Sequence, residues 1–353
     1  MASPARIEYL TEAQFDQWDR FVDASDQGSI YSQAFFLRAL CEAAGTHFKI
    51  LTVWKGAELL GGIGLHFAVS PYGARVHARG LLYYNGVVLR NFATKHPASA
   101  TYRQIEIVQQ ILKELDDKKY GSLEMTNRPT LTDLRAFIWD GWHLGVRYTY
   151  QAPLGDLDKL WDGAEQNVRR LIKRCEQTGM QFVANDDFET FYRLHRATCQ
   201  RKGVSPYLPF EPFQRLYAAL RARNCAQIFF ACLPDGKPVA AQIVLFSAHP
   251  VTHTWAAGSD AQYLESGASA FLRWQVFEVL HQRGFQANDL TDAMNPSVAK
   301  FKSQFGGTLV PCFMVAKINS PALRLRTRLA EMSARLVRVA TAKFKPRDAG
   351  GSD

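Results

Sequence analysis

The stretch "NDLTDAMNPSVAKFKSQFGG", residues 288–307, decides how the second half of the chain is read. "NDLTDA" predicts a short strand, "NPSVAKFKSQFGG" a short helix, and the following "LVPCFMVAKI" a terminal strand. Lys302 lies between Phe301 and Phe305, close to paired glycines. Such an arrangement suits an anion site, and it equally suits an ordinary helix end.

Working back from there, "SGASAFLRWQVFEVLHQRG" is helical and "THTWAAGSD" extended. "AQIFFACLPDGKPVAAQIVLF" is a hairpin turned by Pro234-Asp235-Gly236. "FETFYRLHRATCQRKG" and "FEPFQRLYAALRARN" are helices. The first half carries the same succession. "EAQFDQWDRFVDAS" and "SIYSQAFFLRALCEAAG" are helices, the second closed by Gly45. "FKILTVWKGAELLGGIGLHFAV" is a hairpin turned near Lys55–Gly56, and "RGLLYYNGVVL" is extended. Apolar residues at 105, 108, 111, 112 and 115 mark a helix. "SLEMT", "LTDLRAFIWDGW" and "HLGVRYTYQAPL" then give strand, short helix and terminal strand. The shared order, α-α-β-β-β-α-β-α-β, predicts two copies of one domain. The boundary falls near Pro153, and an extra helix, "LDKLWDGAEQNVRRLIKRCEQTG", follows it.

A length of 353 residues agrees with two domains, and 47% hydrophobic with 21% charged residues is ordinary for a globular protein. Six cysteines without a C-x-x-C pair read as reduced thiols, with no zinc site or disulfide framework. The N-terminus lacks a signal-peptide apolar core, and no stretch approaches a membrane span. The expected location is therefore the cytoplasm. The net charge of +9 is uneven: from Lys317 onward nine Lys and Arg oppose three acids, a local +6. The nearly balanced body argues against a surface for DNA or a general RNA-binding protein, and no aromatic-basic RNA motif appears.

The element order resembles that of the GNAT acyltransferase fold, and two such units joined by a basic helix resemble the FemAB-type branch. "NVRRLIKRCEQTGM" (167–180) is similar to the family's basic helix, "DGKPVAAQIVLF" (235–246) to its hairpin, and residues 288–307 to its FK-x-x-FG signature. The implied fold class is α+β: two tandem GNAT-like domains, 1–153 and 154–320, each a mixed, mostly antiparallel sheet flanked by helices. Residues 321–353 form a basic amphipathic helix and a tail. The implied activity is transfer of an activated acyl or aminoacyl group onto an amine of a cell-envelope glycan or lipid-linked precursor. Acyl-CoA or aminoacyl-tRNA is the implied co-substrate, and no metal is needed. The alternative is a non-catalytic scaffold of the same fold at the membrane surface. The usual phosphate-loop pattern, Q/R-x-x-G-x-G/A, is degenerate here: "LESGAS" lacks the leading Gln or Arg. Its Gly267, Ala268 and Ser269 are the candidate donor-binding residues.

The resemblance gives Lys302 a charge-stabilising role; otherwise it is a helix-surface lysine. Asp289 and Asp292 are candidates for base or acceptor ligand, because an attacking ammonium must first lose a proton; Asp292 equally suits a cap. Arg169, Arg170 and Lys173, with Arg174, fall within an arc of about 140° on one helix. They suit the phosphates of a nucleotide sugar, a lipid carrier, coenzyme A or tRNA, or a solvated face. Tyr207, Arg38, Tyr84 and Asn85 are candidate substrate contacts, or packing residues. His195 is read as a helix-face residue and Trp255 as core. The cations of 169–174 and Lys302 are expected to converge on one hollow. In the tail, Leu325, Leu329, Met332, Leu336 and Val339 form a stripe beside Arg324, Arg328, Arg335 and Arg338. Such a helix lies on an anionic bilayer at the inner membrane face, or docks on the protein itself.

Overall fold

Two hairpins organise the halves in the computed structural model, which describes residues 5–332 apart from 79, 118 and 331. In the first half β2 (His47–Lys55) turns into β3 (Glu58–Ala68) through Gly56, at φ 61°. In the second half β9 (Ala226–Cys232) turns into β10 (Pro238–Leu245) through Gly236, at φ 87°. Both turns need the left-handed region that glycine enters freely. Each hairpin gains an outer strand that the sequence patterning does not reveal, β1 (Ala5–Tyr9) on β2 and β8 (Gln181–Asn185) on β9.

Helix pairs cover the hairpins. The first half supplies α1 (Phe15–Asp23), α2 (Ala34–Ala44, ended by Gly45 at φ 65°), α3 (Pro97–Leu115) and α4 (Arg135–Trp139). Their counterparts are α7 (Phe188–Arg201), α8 (Phe210–Ala222), α9 (Ala268–Gln282) and α10 (Pro296–Ser303). The linking segment, read from sequence as one helix, is two: α5 (Leu157–Asp162) and α6 (Gln166–Gln177). The break has a packing cause. Gly163 lies against the backbone of Gly306, and Ala164 makes a bridge with Phe305. The paired glycines at the end of α10 thus serve a close backbone crossing. A Cβ on Gly306 would stand 2.3 Å from the Leu160 carbonyl oxygen, and one on Gly307 2.8 Å from that of Gln151.

The remaining strands are β4 (Ala74–Val76), β5 (Val87–Leu89), β6 (Tyr120–Thr126), β7 (His143–Pro153), β11 (Val251–Ser259), β12 (Ala287–Asp289) and β13 (Thr308–Ile318). Of the predicted extended stretch "RGLLYYNGVVL", only Val87–Leu89 pairs, on β3. All strands join one sheet in the order β1-β2-β3-β4-β6-β13-β7-β12-β11-β10-β9-β8, with β5 off this path on β3. The order is symmetric about the β13–β7 pair, and the halves exchange their last strands. β13 lies antiparallel on β6 (Val315 opposite Met125), while β7 lies antiparallel on β12 (Asp289 opposite Gln151). One apolar core spans both halves: Tyr31, Phe36 and Tyr84 pack with Phe188, Phe213 and Trp255.

Candidate functional site

The parallel strand pairs place the site. β11 pairs with β12 only from Val251 to His253; it then runs on to Ser259 while the chain beyond Asp289 turns away. β4 and β6 part in the same way after Val76. Each divergence opens a cavity. The one in the second half measures 580 Å3 and lies among β11, α7, α9 and α10. The one in the first half measures 240 Å3 and is walled by Ala78, Gly80, Leu82, Tyr83 and Tyr84 with Thr126 and β7. Tyr83, Tyr207 and Asp292 line both, so the two chambers meet there.

The turn after β12 has an unusual backbone. Thr291 and Asp292 lie at φ 52° and 25°, in the left-handed region that a β-branched residue enters at a cost of order 1–3 kcal/mol. Surrounding bonds hold it. Thr291 N donates to Asp289 Oδ1 (2.8 Å) and Thr291 Oγ1 to the Thr254 carbonyl (2.8 Å). The Lys302 ammonium donates to the carbonyls of Thr291 and Asp292, the second at 2.8 Å. Lys302 is thus a buried residue of α10, not a surface lysine, and it lines the larger cavity. Burial, with the nearby Arg273 charge, pulls its pKa down to about 7; the carboxylates of Asp292 and Asp289 oppose this only in part. Two of the three ammonium donors serve these carbonyls, leaving one for a ligand. Asp292 is half-exposed at the chamber junction, 3.5 Å from Arg147.

Asp289 occupies a different setting. It is fully buried and lines neither cavity. Its carboxylate accepts from Tyr84 Oη (2.7 Å), Thr149 Oγ1 (2.6 Å) and Thr291 N, tying both halves together. Beyond it, His253 Nδ1 is 3.7 Å from Oδ2, and Arg128 donates to His253 Nε2 at 3.2 Å. Burial and the Arg128 charge hold this imidazole neutral. Neither Arg128 nor His253 was singled out from sequence.

The other candidates separate. Tyr207 stacks on His195 (5.5 Å) and its hydroxyl lies 3.3 Å from that of Tyr83. His195 is buried, with Nδ1 2.9 Å from the Ala257 carbonyl, and its ring lines the larger cavity; burial lowers its pKa. Trp255 is both: fully buried, and part of that wall. Asn85 clamps β6 through Thr126 N (2.8 Å) and the Glu124 carbonyl (3.0 Å) and lines none of these cavities. Arg38 pairs with Glu12 (3.2 Å) beside a separate 230 Å3 hollow.

Arg169, Arg170 and Lys173 do not meet Lys302. With Trp161 and Arg174 they line a 740 Å3 groove along α6, whereas Lys302 faces the cavity between α10 and β11. The reason is helix phase: the buried face of α6 (Val168, Ile172, Cys175) packs toward α9 and turns the cations outward. The same packing covers the degenerate phosphate loop. A Cβ on Gly267 would meet Leu171 Cβ at 3.0 Å and Cys175 Sγ at 3.2 Å. Ala268 N donates to Ser266 Oγ (3.1 Å), and Arg174 binds the carbonyls of Glu265 and Ser266. Of the three loop candidates only Ser269 reaches the cavity. Residues 267–268 therefore do not fit a pyrophosphate. Among the described residues no group of three His, Cys, Asp or Glu is placed to hold a metal, and no helix is long and apolar enough to cross a membrane. All six cysteines are free.

Residues 163–302 match the family model described as Acetyltransferase (GNAT) domain. No curated protein matches the sequence. Among solved structures, FemX superposes with a TM-score of 0.69 at 14% identity, over 91% of this chain and 99% of that one. The C-terminal domain of a putative lysylphosphatidylglycerol synthetase from Agrobacterium fabrum gives 0.54 at 13% identity, over 93% and 98%. A tandem GNAT protein from the clavulanic acid biosynthesis pathway gives 0.52 at 12% identity, over 90% and 99%. At these identities the likeness is one of fold.

Proposed function

We propose that this chain, a tandem GNAT-like fold whose residues 163–302 form a GNAT domain, is an N-acyltransferase. It moves an acyl or aminoacyl group from an activated ester or thioester onto an amine. Two chambers that join at Tyr83, Tyr207 and Asp292, beside a buried lysine, are the observation that carries this. One chamber takes the donor acyl group and the other the acceptor, so the reacting atoms meet at the junction.

The acceptor ammonium first gives a proton to Asp292, directly or through water. The neutral amine attacks the carbonyl carbon. A C–N bond forms, and the carbonyl electron pair moves onto oxygen. The free N–H of Lys302 stabilises that oxyanion in a site largely shielded from water. Collapse breaks the C–S or C–O bond, and the proton from nitrogen leaves with the thiol or alcohol. Asp289 acts as a positioning residue: it holds the Thr291–Asp292 turn that presents both Lys302 and Asp292. The covered residues 267–268 do not supply a pyrophosphate cradle, so an acyl-CoA donor would have to rest its phosphates elsewhere.

The finer reading is an acceptor amine on a cell-envelope glycan or lipid-linked precursor, with an acyl-CoA or aminoacyl-tRNA donor. Two structural neighbours, FemX and the lysylphosphatidylglycerol synthetase domain, support this direction. The α6 groove, lined by Arg169, Arg170 and Lys173, suits a polyanionic donor such as tRNA. Included in this reading are a division into units 1–153 and 154–320, and a cytoplasmic protein meeting the inner membrane face through residues 321–353. The described part of that tail is helical over 321–330 and at 332, with Leu325, Leu329 and Met332 exposed; Arg335, Leu336, Arg338 and Val339 lie outside the described residues.

The test offers acyl-CoA thioesters and a charged tRNA mixture with amine acceptors, and follows acceptor mass. Product that disappears in Lys302→Met supports the enzyme. The covered phosphate loop favours a second reading, a scaffold without chemistry. Absence of product with every donor, together with tight binding of an envelope precursor, would establish that one instead.

A further inference from the structure

The wall of the 580 Å3 cavity carries an unbalanced charge. Arg201, Lys202, Arg273 and Lys302 line it, and Asp292 is the sole acid among the lining residues. That acid already faces Arg147. Within the set Arg273 is the oddest. It lies on α9 amid Phe271, Leu272, Trp274 and Val276, and only 5% of its surface is exposed. Its Nη1 donates to Thr254 Oγ1. The Thr254 hydroxyl proton is committed to Asn288 Oδ1 (2.9 Å), and Asn288 is held by Thr252 Oγ1 (2.8 Å), so this oxygen is fixed as an acceptor. The guanidinium is thereby locked in orientation. Its Nε is buried with no partner, and among the described residues no carboxylate lies within ion-pair distance of it.

A buried guanidinium without a counter-ion is costly, and folds do not retain one for stability. Burial holds its pKa down at about 10, which still leaves it charged at neutral pH. Nη1 is tied to Thr254. Nε itself is closed off, so the guanidinium N–H groups left unpaired on the cavity side are what a planar carboxylate would meet. α9 flanks the divergence of β11 and β12, so a group entering that gap reaches Arg273 beside Lys302.

We propose that Arg273 is the recognition residue for a carboxylate carried by one of the two substrates, bound deep in the cavity between β11 and α10. Lys302 lies in the same wall and adds long-range attraction; Thr254 fixes the guanidinium. Binding is read without turnover, so this assignment stands or falls apart from the transfer reaction proposed above.

The test titrates the wild-type protein, Arg273→Met and Lys202→Met with acetate, then with inorganic phosphate, at constant ionic strength against chloride. Acetate is expected to raise the wild-type Tm by roughly 1–3 °C at tenfold excess over its Kd. Lys202→Met should respond in the same way. Arg273→Met should start from a higher Tm, because an unpaired buried charge is gone, and should not respond. A lower starting Tm would make Arg273 a structural tie to Thr254, and an undiminished acetate response would place the anion elsewhere; either overturns the proposal. Phosphate binding in place of acetate would also overturn it. Two pairs of competitors locate the carboxylate. Displacement of acetate by S-succinylpantetheine but not S-acetylpantetheine puts it on the acyl group. Displacement by alanine but not alaninamide puts it on the acceptor.

Discussion

Replacing Lys302 by Met separates the chemistry of the site from its cost. Burial pulls the pKa of this lysine down to about 7 in the folded protein, against 10.5 for an ordinary lysine. At about 1.4 kcal/mol per unit, keeping it charged costs the fold about 5 kcal/mol below pH 7. Between pH 7 and 10.5 the unfolded chain holds a proton that the folded chain has released, so stability rises with pH in that window. From pH 7.5 to 9.5 this one group should add about 2–3 kcal/mol to the wild-type unfolding free energy. Met has no proton to release, so the variant should lack that increment. At pH 7 the variant is spared most of the penalty but leaves two carbonyls without their donor, each costing about 1–3 kcal/mol. Its stability there should therefore lie close to that of wild type. Urea unfolding of both proteins at pH 7.5, 8.5 and 9.5 gives the slopes. Parallel slopes would refute the claim that Lys302 is desolvated. Turnover is a separate readout: loss of an oxyanion donor should lower kcat about 100- to 1,000-fold.

Three further outcomes follow from the fold. Asp289→Ala leaves the Tyr84 and Thr149 hydroxyls and Thr291 N without their acceptor, and should cost about 3–5 kcal/mol in urea unfolding; a variant as stable as wild type would show that this carboxylate does not tie the halves. Gly306→Ala adds a Cβ 2.3 Å from the Leu160 carbonyl at φ 75° and should cost about 2–4 kcal/mol, whereas Gly45→Ala, at φ 65° with open space around it, should cost about 1 kcal/mol; equal shifts in Tm would count against the crossing. Deleting residues 321–353 should abolish flotation with anionic vesicles and leave the Tm within about 1 °C, and unchanged flotation would remove the membrane role from the tail.

The hairpins and long helices were legible because their signals are local. Gly45 and Gly236 end or turn elements in the conformations their identity suggests. β1, β4 and β8 were not legible, being short strands whose pairing is decided by distant partners. Around the site, the sequence pointed to Lys302, Asp292 and Tyr207, which do share a cavity junction or wall. It joined to them the cations of α6, because helical phase shows that they share a face but not what that face looks at. Arg273 carried a readable signal, a lone charge in the apolar run "SAFLRWQVF". Arg128 and His253 carried none: their partnership spans 125 residues and exists only once the strands are exchanged.

That exchange has a consequence during synthesis. When the ribosome has delivered residues through Pro153, the free flank of β6 has nothing to cover it, since its neighbour β13 is the last strand made among the described residues. β7 likewise waits for β12. The nascent first half is thus an unfinished sheet with a sticky border, and it must be shielded until about 160 more residues emerge. The uncovered border of β6, rather than any weakness of the finished molecule, is then where the growing chain is open to mispairing.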